Sequence, residues 1–214
     1  LVAVGRVADV FGRAGHLATL GSATEFPDQR TMARTLTSLL LAHRLNAPSQ
    51  AGITWTTALR TALNNLLSVQ SPDGAWRVLN GQCGYNKPFM VGMLNDALIR
   101  YYEGFERDPR IVDAVRRSVD YMWRRNWIAS AQAFTYIEGN CTSQYGTEHA
   151  GPARDLNLMI VGGYGFIGKV TGDVTYFARG DSIFAAGATA GMVGEQKQFN
   201  QAYTTSARYL GLRF

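Results

Sequence analysis

The sequence predicts an all-α protein of stacked helical hairpins, and three observations predict it. One layout recurs three times: an apolar helix, a short polar turn and a second helix. In each pair the first helix is the more apolar and the second the more amphipathic. The connections alternate, with short turns inside pairs and long Gly-rich loops between them.

The first pair is LTSLLLAHRL, the turn NAPSQAGIT, then WTTALRTALNNLLSVQ. In the second, FMVGMLNDALIRYYEGF is followed by ERDP and RIVDAVRRSVDYMWRRNW. The third joins LNLMIVGGYGFIGKV through TGD to VTYFARGDSIFAAGATAG. A seventh helix, QFNQAYTTSARYLGL, closes the chain. Leu94, Ala97, Leu98 and Tyr101 fall at helical spacing, with Met90 and Met93 on the flank. On the partner helix Val112, Val115, Val119 and Met122 form an apolar side opposite the arginine pairs at 116–117 and 124–125. This asymmetry describes inner and outer helices of an array whose units bury their faces only by stacking.

The expected long connections run over 70–87 and 129–155, with a shorter one at 190–197. All should emerge at one end, beside the N-termini of the inner helices. Exposed N–H groups there favour an anionic ligand, and long loops in a compact domain are commonly functional.

With 214 residues and 46% hydrophobic content the chain can fill one core, and a charged fraction of 17% argues against disorder. No apolar run is long enough for a membrane span. The opening LVAVGRVADVFGRAG lacks the pattern of an intact signal peptide, and a first residue Leu1 reads as a piece of something longer. A net charge of +5 suits an acidic polysaccharide, although a mildly basic solvated surface is the simpler account of it. Without zinc spacing or an RNA-binding sequence, nucleic acid is not expected as a partner, and no cofactor or metal is expected either. Cys83 and Cys141 both fall in long loops. A disulfide between them would imply an oxidising compartment; two unrelated thiols is the other reading.

The hairpin array, the Gln70-x-x-Asp73-Gly74-x-Trp76 turn and the Lys87-Pro-Phe-Met helix start resemble secreted (α/α)-toroid carbohydrate-active proteins, a type that includes polysaccharide lyases and glycoside hydrolases. The same Gln-to-Trp turn resembles a structural turn of terpene cyclases, whose aspartate-rich motif is missing here. The resemblance covers most of residues 28–214. It implies a toroid of about twelve helices; seven would make an open array or the C-terminal portion of a larger one. It also implies secretion and a polysaccharide partner, with the remainder of the chain or an assembly partner as further options.

Within residues 70–90, Gln70 to Trp76 reads as a clasp, with Pro72-Asp73-Gly74 making the turn and Trp76 folding back on the helix ends. The second half, ending Tyr85-Asn86-Lys87, lies at an inner-helix mouth. Lysis of a uronate polymer needs a group that neutralises the sugar carboxylate, a base for the adjacent C–H proton and an acid for the leaving oxygen. Tyr85, His149 and Tyr136 are the catalytic candidates. Asn86, Lys87, Arg154, Trp76, Gln198 and Asn200 are the substrate-binding ones. Hydrolysis would instead draw a carboxylate pair from Asp28, Glu138, Glu148 and Asp155, of which Asp155 reads more simply as a helix cap. Asp108 and Asp173 also read as caps. His16 and His43 look structural, and Arg179-Gly180-Asp181 lies in a helix and matches a cell-adhesion tripeptide by chance. A non-catalytic carbohydrate-binding module using Trp76, Tyr85, Tyr136 and Tyr145 is the remaining reading.

Overall fold

A computed structural model describes residues 1–22, 27–76, 78–79, 84–138, 151–191 and 196–214. The three expected hairpins are α3 (Gln29–Arg44) with α4 (Trp55–Ser68), α5 (Pro88–Gly104) with α6 (Pro109–Arg125), and α7 (Val161–Thr171) with α8 (Val174–Ala190). The closing helix α9 spans Gln196–Arg213. Two helices precede them, α1 (Val2–Gly12) and α2 (Ala14–Leu20). Extended structure among the described residues is confined to two antiparallel ribbons, β1 (Val78–Leu79) with β2 (Gly84–Tyr85), and β3 (Trp127–Ile128) with β4 (Ala133–Phe134). The all-α class holds.

The short turns are set by local chemistry. Asp108 accepts from the Arg110 N–H at 2.9 Å and Asp173 from the Thr175 N–H at 2.8 Å, so both are the caps that the sequence suggests. Pro109 follows at the first helical position, where its missing N–H costs nothing.

The inner helices form one row. α1 packs on α3, α3 on α5, α5 on α7, and α9 on α7, while α4, α6 and α8 lie against their own hairpin mates. Burial follows the expected asymmetry. Every residue from Val161 to Gly168 of α7 is buried, whereas α6 buries only the side carrying Ile111, Ala114, Val115, Ser118, Val119 and Met122. One continuous core runs through the row. Inner helices approach closely where side chains are small: a Cβ on Gly92 of α5 would sit 2.2 Å from the Met159 carbonyl oxygen.

Two expectations are corrected. The third inner helix does not begin as an α-helix at 156: residues Arg154–Met159 are a 3-10 helix, and α7 starts at Val161. Asp155 therefore lies in the first 3-10 turn and caps no helix. The N-cap of the 3-10 segment is Ala153 and that of α7 is Ile160. The tighter 3-10 winding suits a segment wedged among β4, α8 and α9.

α1 is tied down through Asp9, which is 5% exposed and accepts from the Ser49 hydroxyl at 2.5 Å and the Gln50 N–H at 2.9 Å. Those hydrogen bonds hold its carboxyl below the usual range. In α2, His16 bonds Thr35 Oγ1 at 2.8 Å and meets Phe11 edge-on. Burial lowers its pKa, so the folded state prefers the neutral ring. The unfolded chain then binds the proton first as pH falls through about 6.5, and stability contributed by this site is present above that value and lost below it. His16→Gln should therefore narrow the difference in urea midpoint between pH 8 and pH 5. An unchanged difference would refute the linkage. His43, in the last turn of α3, packs edge-on against Phe105, consistent with a structural role.

Candidate functional site

The loop 70–76 is a clasp. Gln70 donates to the Gly74 carbonyl at 3.1 Å and the Ala114 carbonyl at 2.9 Å, and its Oε1 accepts from Arg117 at 2.7 Å. One amide thus ties the turn to α6. Gly74 has φ +99°, and a Cβ there would meet the Arg117 carbonyl oxygen at 2.2 Å, so only glycine fits. Trp76 is 1% exposed, and its carbonyl accepts a hydrogen bond from Gln29 at the start of α3. In this position Trp76 offers no ring face to a ligand; it belongs to the core.

Beyond the clasp, four segments meet at the mouths of the inner helices. These are the start of α3, residues 86–90 leading into α5, residues 133–138, and residues 151–159. The Tyr136 N–H donates to the Gly151 carbonyl at 3.0 Å, and the Glu138 N–H to the Asn86 carbonyl at 2.9 Å. A small second core of Phe89, Met90, Ala153, Leu156 and Met159 lies beneath, with Met93 and Tyr136 against it. The long connections do emerge together where they are described.

The polar groups at this end fall into two sets. The outer set is aromatic and cationic. Half-buried Tyr136 packs its ring 5.1 Å from Phe89, and the half-buried Arg30 guanidinium lies over the same Phe89 ring, 5.8 Å from its centroid. Lys87 is the N-cap residue of α5 and half-buried, and Arg154 is exposed at the head of the 3-10 helix, 3.5 Å from Gln132.

The inner set is a buried amide network. Asn86 and Asn126 are each 1% exposed, and Asn86 Nδ2 donates to Asn126 Oδ1 at 3.1 Å. The Asn126 carbonyl accepts from the Thr135 N–H at 2.9 Å. The Tyr121 hydroxyl donates to Glu138 Oε1. Asn157, fully buried, fixes the neighbouring strand by donating to the Gln132 carbonyl at 2.9 Å and accepting from the Phe134 N–H at 3.3 Å.

This network is left incomplete. Gln29 Oε1, Asn86 Oδ1, Asn126 Nδ2, Thr135 Oγ1 and Glu138 Oε2 are buried atoms with no hydrogen-bond partner among the described residues. Arg30 Nε and Trp76 Nε1 share that state at the same end. A buried polar atom without a partner forfeits roughly 1–3 kcal/mol. Native interiors leave few such groups, and clusters of them mark places where water or a ligand completes the bonding.

The other candidates are distributed as follows. Tyr85 lies in β2, paired with Val78, and Gln198 and Asn200 lie in the first turns of α9; the side chains of these three are outside the described set. His149, Tyr145, Glu148 and both cysteines lie outside the described residues, and the question of a disulfide between Cys83 and Cys141 lies there with them. Asp28 is an N-cap, accepting from the Thr31 N–H at 2.7 Å. Of the hydrolytic set, Glu138 is the carboxylate bonded within the buried network, while Asp28 is occupied as a cap, Asp155 lies in the 3-10 turn and Glu148 lies outside the described residues. Arg179 and Asp181 sit within α8, bonded to Asp120 and to Tyr209 and Arg213, which leaves the tripeptide a helix-packing feature.

Asn126, Tyr121 and Phe89 are site residues that sequence reading passed over. Asn126 and Tyr121 belong to the end of α6, an outer helix, and no periodicity marks an outer-helix residue as turned towards an inner-helix mouth. Among the described residues no group of three or more His, Cys, Asp or Glu converges in a way that could hold a metal ion. No helix among them is long and apolar enough to cross a membrane. Comparison with known proteins returns no match, whether to a family model, a curated protein or a solved structure.

Proposed function

We propose that this chain processes an acidic polysaccharide at the long-loop end, as a lyase. The observation that carries the reading is the packing of Tyr136 and the Arg30 guanidinium on the same Phe89 ring, at the end where a buried amide network still has hydrogen-bonding capacity. Arg30, Lys87 and Arg154 supply the charge that neutralises a uronate carboxylate and so acidifies the adjacent C–H. Tyr136 supplies a phenol for the proton transfer to or from the sugar, and Asn86 with Asn126 the amide contacts to hydroxyls. The reaction balances as an elimination: a base takes the C–H proton, the C–H electrons form the new double bond, the C–O bond breaks with its electron pair on the leaving oxygen, and that oxygen takes a proton from the acid. His149 and Tyr85 stay in the proposal as further acid–base candidates.

An open segment of an (α/α) toroid is the arrangement that this function would use, and a secreted location fits it. The row of inner helices with its loops at one end supports the toroid segment, and the secreted location rests on the polysaccharide reading alone. A glycoside hydrolase acting through Glu138 is the second reading, favoured by the hydrogen bond that holds its carboxylate to the Tyr121 hydroxyl at this end. Hydrolysis needs a second carboxylate across the scissile bond.

The test is incubation with alginate, pectate and glycosaminoglycans. The expected result is a rise in ultraviolet absorbance from unsaturated uronate ends. New reducing ends without that absorbance would replace the lyase by the hydrolase. Retention on a polysaccharide column with neither product would leave a binding module.

A further inference from the structure

We infer that a groove across the C-terminal halves of α3, α5 and α9 is a second ligand site, for a compact anion bearing two or more adjacent oxyanion groups. It lies towards the short-turn end, away from the site described above, and does not depend on that reading.

The groove consists of two cavities of about 310 and 320 Å³ that share Arg100, Glu103 and Arg208 as a common wall. Behind the wall Asp96 stands between two guanidiniums: Arg100 Nε donates to Oδ2 at 2.7 Å, and Arg208 Nε lies 2.9 Å from Oδ1 as an ion pair without hydrogen-bond alignment. Arg208 also donates to Glu103 through its NH1 group. Asp96 and Arg208 side chains are only 15% and 20% exposed, so these contacts act as splints. They hold two planar guanidiniums in place while both residues line the groove. A pre-positioned guanidinium loses little side-chain entropy on binding, and its fork matches phosphate and carboxylate oxygens.

Each cavity carries one more cation. Arg44 lines the first and Lys169 the second, both exposed and without a partner among the described residues. Four cations therefore face two carboxylates, and the excess of two is balanced by nothing described nearby. A single monovalent anion would satisfy one side only. Two linked oxyanion groups, as in a diphosphate or a polycarboxylate, would reach both sides of the shared wall.

Calorimetric titration of the whole chain at low ionic strength tests this, with pyrophosphate and citrate as the two sources of linked oxyanions and acetate as the monovalent control. Pyrophosphate or citrate should bind with one-to-one stoichiometry and acetate should not; whichever of the two binds more tightly identifies the source. Arg44→Ala and Lys169→Ala should each weaken binding about fivefold or more, the effect of losing a partly exposed charge-assisted contact. Gly104→Leu and Gly211→Leu fill the two cavities without touching a charge. A Cβ at either position meets nothing within 4 Å, so both variants should fold and both should bind poorly. Arg60, which pairs with Glu106 away from the groove, is the reference. Absence of heat with both polyanions would overturn the site. So would binding that Arg60→Ala weakens as much as Arg44→Ala, since that would be general attraction to a basic surface.

Discussion

Tyr136→Phe is expected to reduce turnover of an acidic polysaccharide by about 10²–10⁴-fold, the range over which a positioned acid or base contributes. Only the hydroxyl is removed. The ring remains packed on Phe89, and the Tyr136 N–H keeps its bond to the Gly151 carbonyl, so the local fold has what it needs. The unfolding free energy should change by less than about 1.5 kcal/mol, the net contribution of one hydrogen bond. Initial rates by ultraviolet absorbance, with urea denaturation of the same preparation, separate the two quantities. A variant that retains wild-type turnover would remove Tyr136 from the chemistry. The charge around it should reveal itself differently: Arg30→Ala should raise KM for an acidic substrate more than for a neutral one, because the guanidinium beside Phe89 acts on the substrate carboxylate.

Trp76→Ala should destabilise the fold by about 3–5 kcal/mol, since the indole is fully enclosed and its removal leaves both a cavity and lost apolar contact. For a domain of ordinary stability that is a third or more of the total. The loss should appear as a lower urea midpoint with no separate effect on ligand affinity in the folded fraction. A Trp that served as a stacking platform would behave the opposite way, losing affinity at constant stability. The position follows from the clasp: Gln70 holds the turn to α6, Gly74 lets it pass within reach of the Arg117 carbonyl, and Gln29 receives the Trp76 backbone at the mouth of α3. Three helices are joined by seven residues.

The three hairpins were legible in the sequence because their physics is local. Helical spacing of apolar residues, Asp108 and Asp173 one step before their helices, and Gly172 in the left-handed region after α7 each act within a few residues. The clasp was legible for the same reason, since Pro-Asp-Gly dictates a turn wherever it stands. The inner and outer roles also followed, because a segment buried on all sides must be apolar on all sides, as α7 is from Val161 to Gly168.

What the sequence alone could not determine depends on what lies opposite. α1 is the plainest case. It buries Gly5, Ala8, Asp9 and Gly12 and turns Val2, Val7 and Val10 outward, at 49%, 54% and 55% exposed. Val4 and Ala8 still pack on the core, but three of its valines do not, because close packing on the 46–54 loop demands Gly5 at the contact with Pro48 and Asp9 is satisfied there by Ser49 and Gln50. Periodicity assumes that every apolar residue faces inward, and on α1 only part of them do. The 3-10 winding of 154–159 is likewise imposed by the elements around it rather than by its own residues. At the site, the sequence supplied Tyr136, Asn86, Lys87 and Arg154 because loop residues of those types are conspicuous. It could not supply Asn126, which stands at the end of an outer helix, 40 positions from Asn86. Nor could it separate Trp76 in the core from Tyr136 at the surface. A hydrogen-bonding group becomes a candidate when its partners are missing in three dimensions, and a linear sequence contains the groups without the partners.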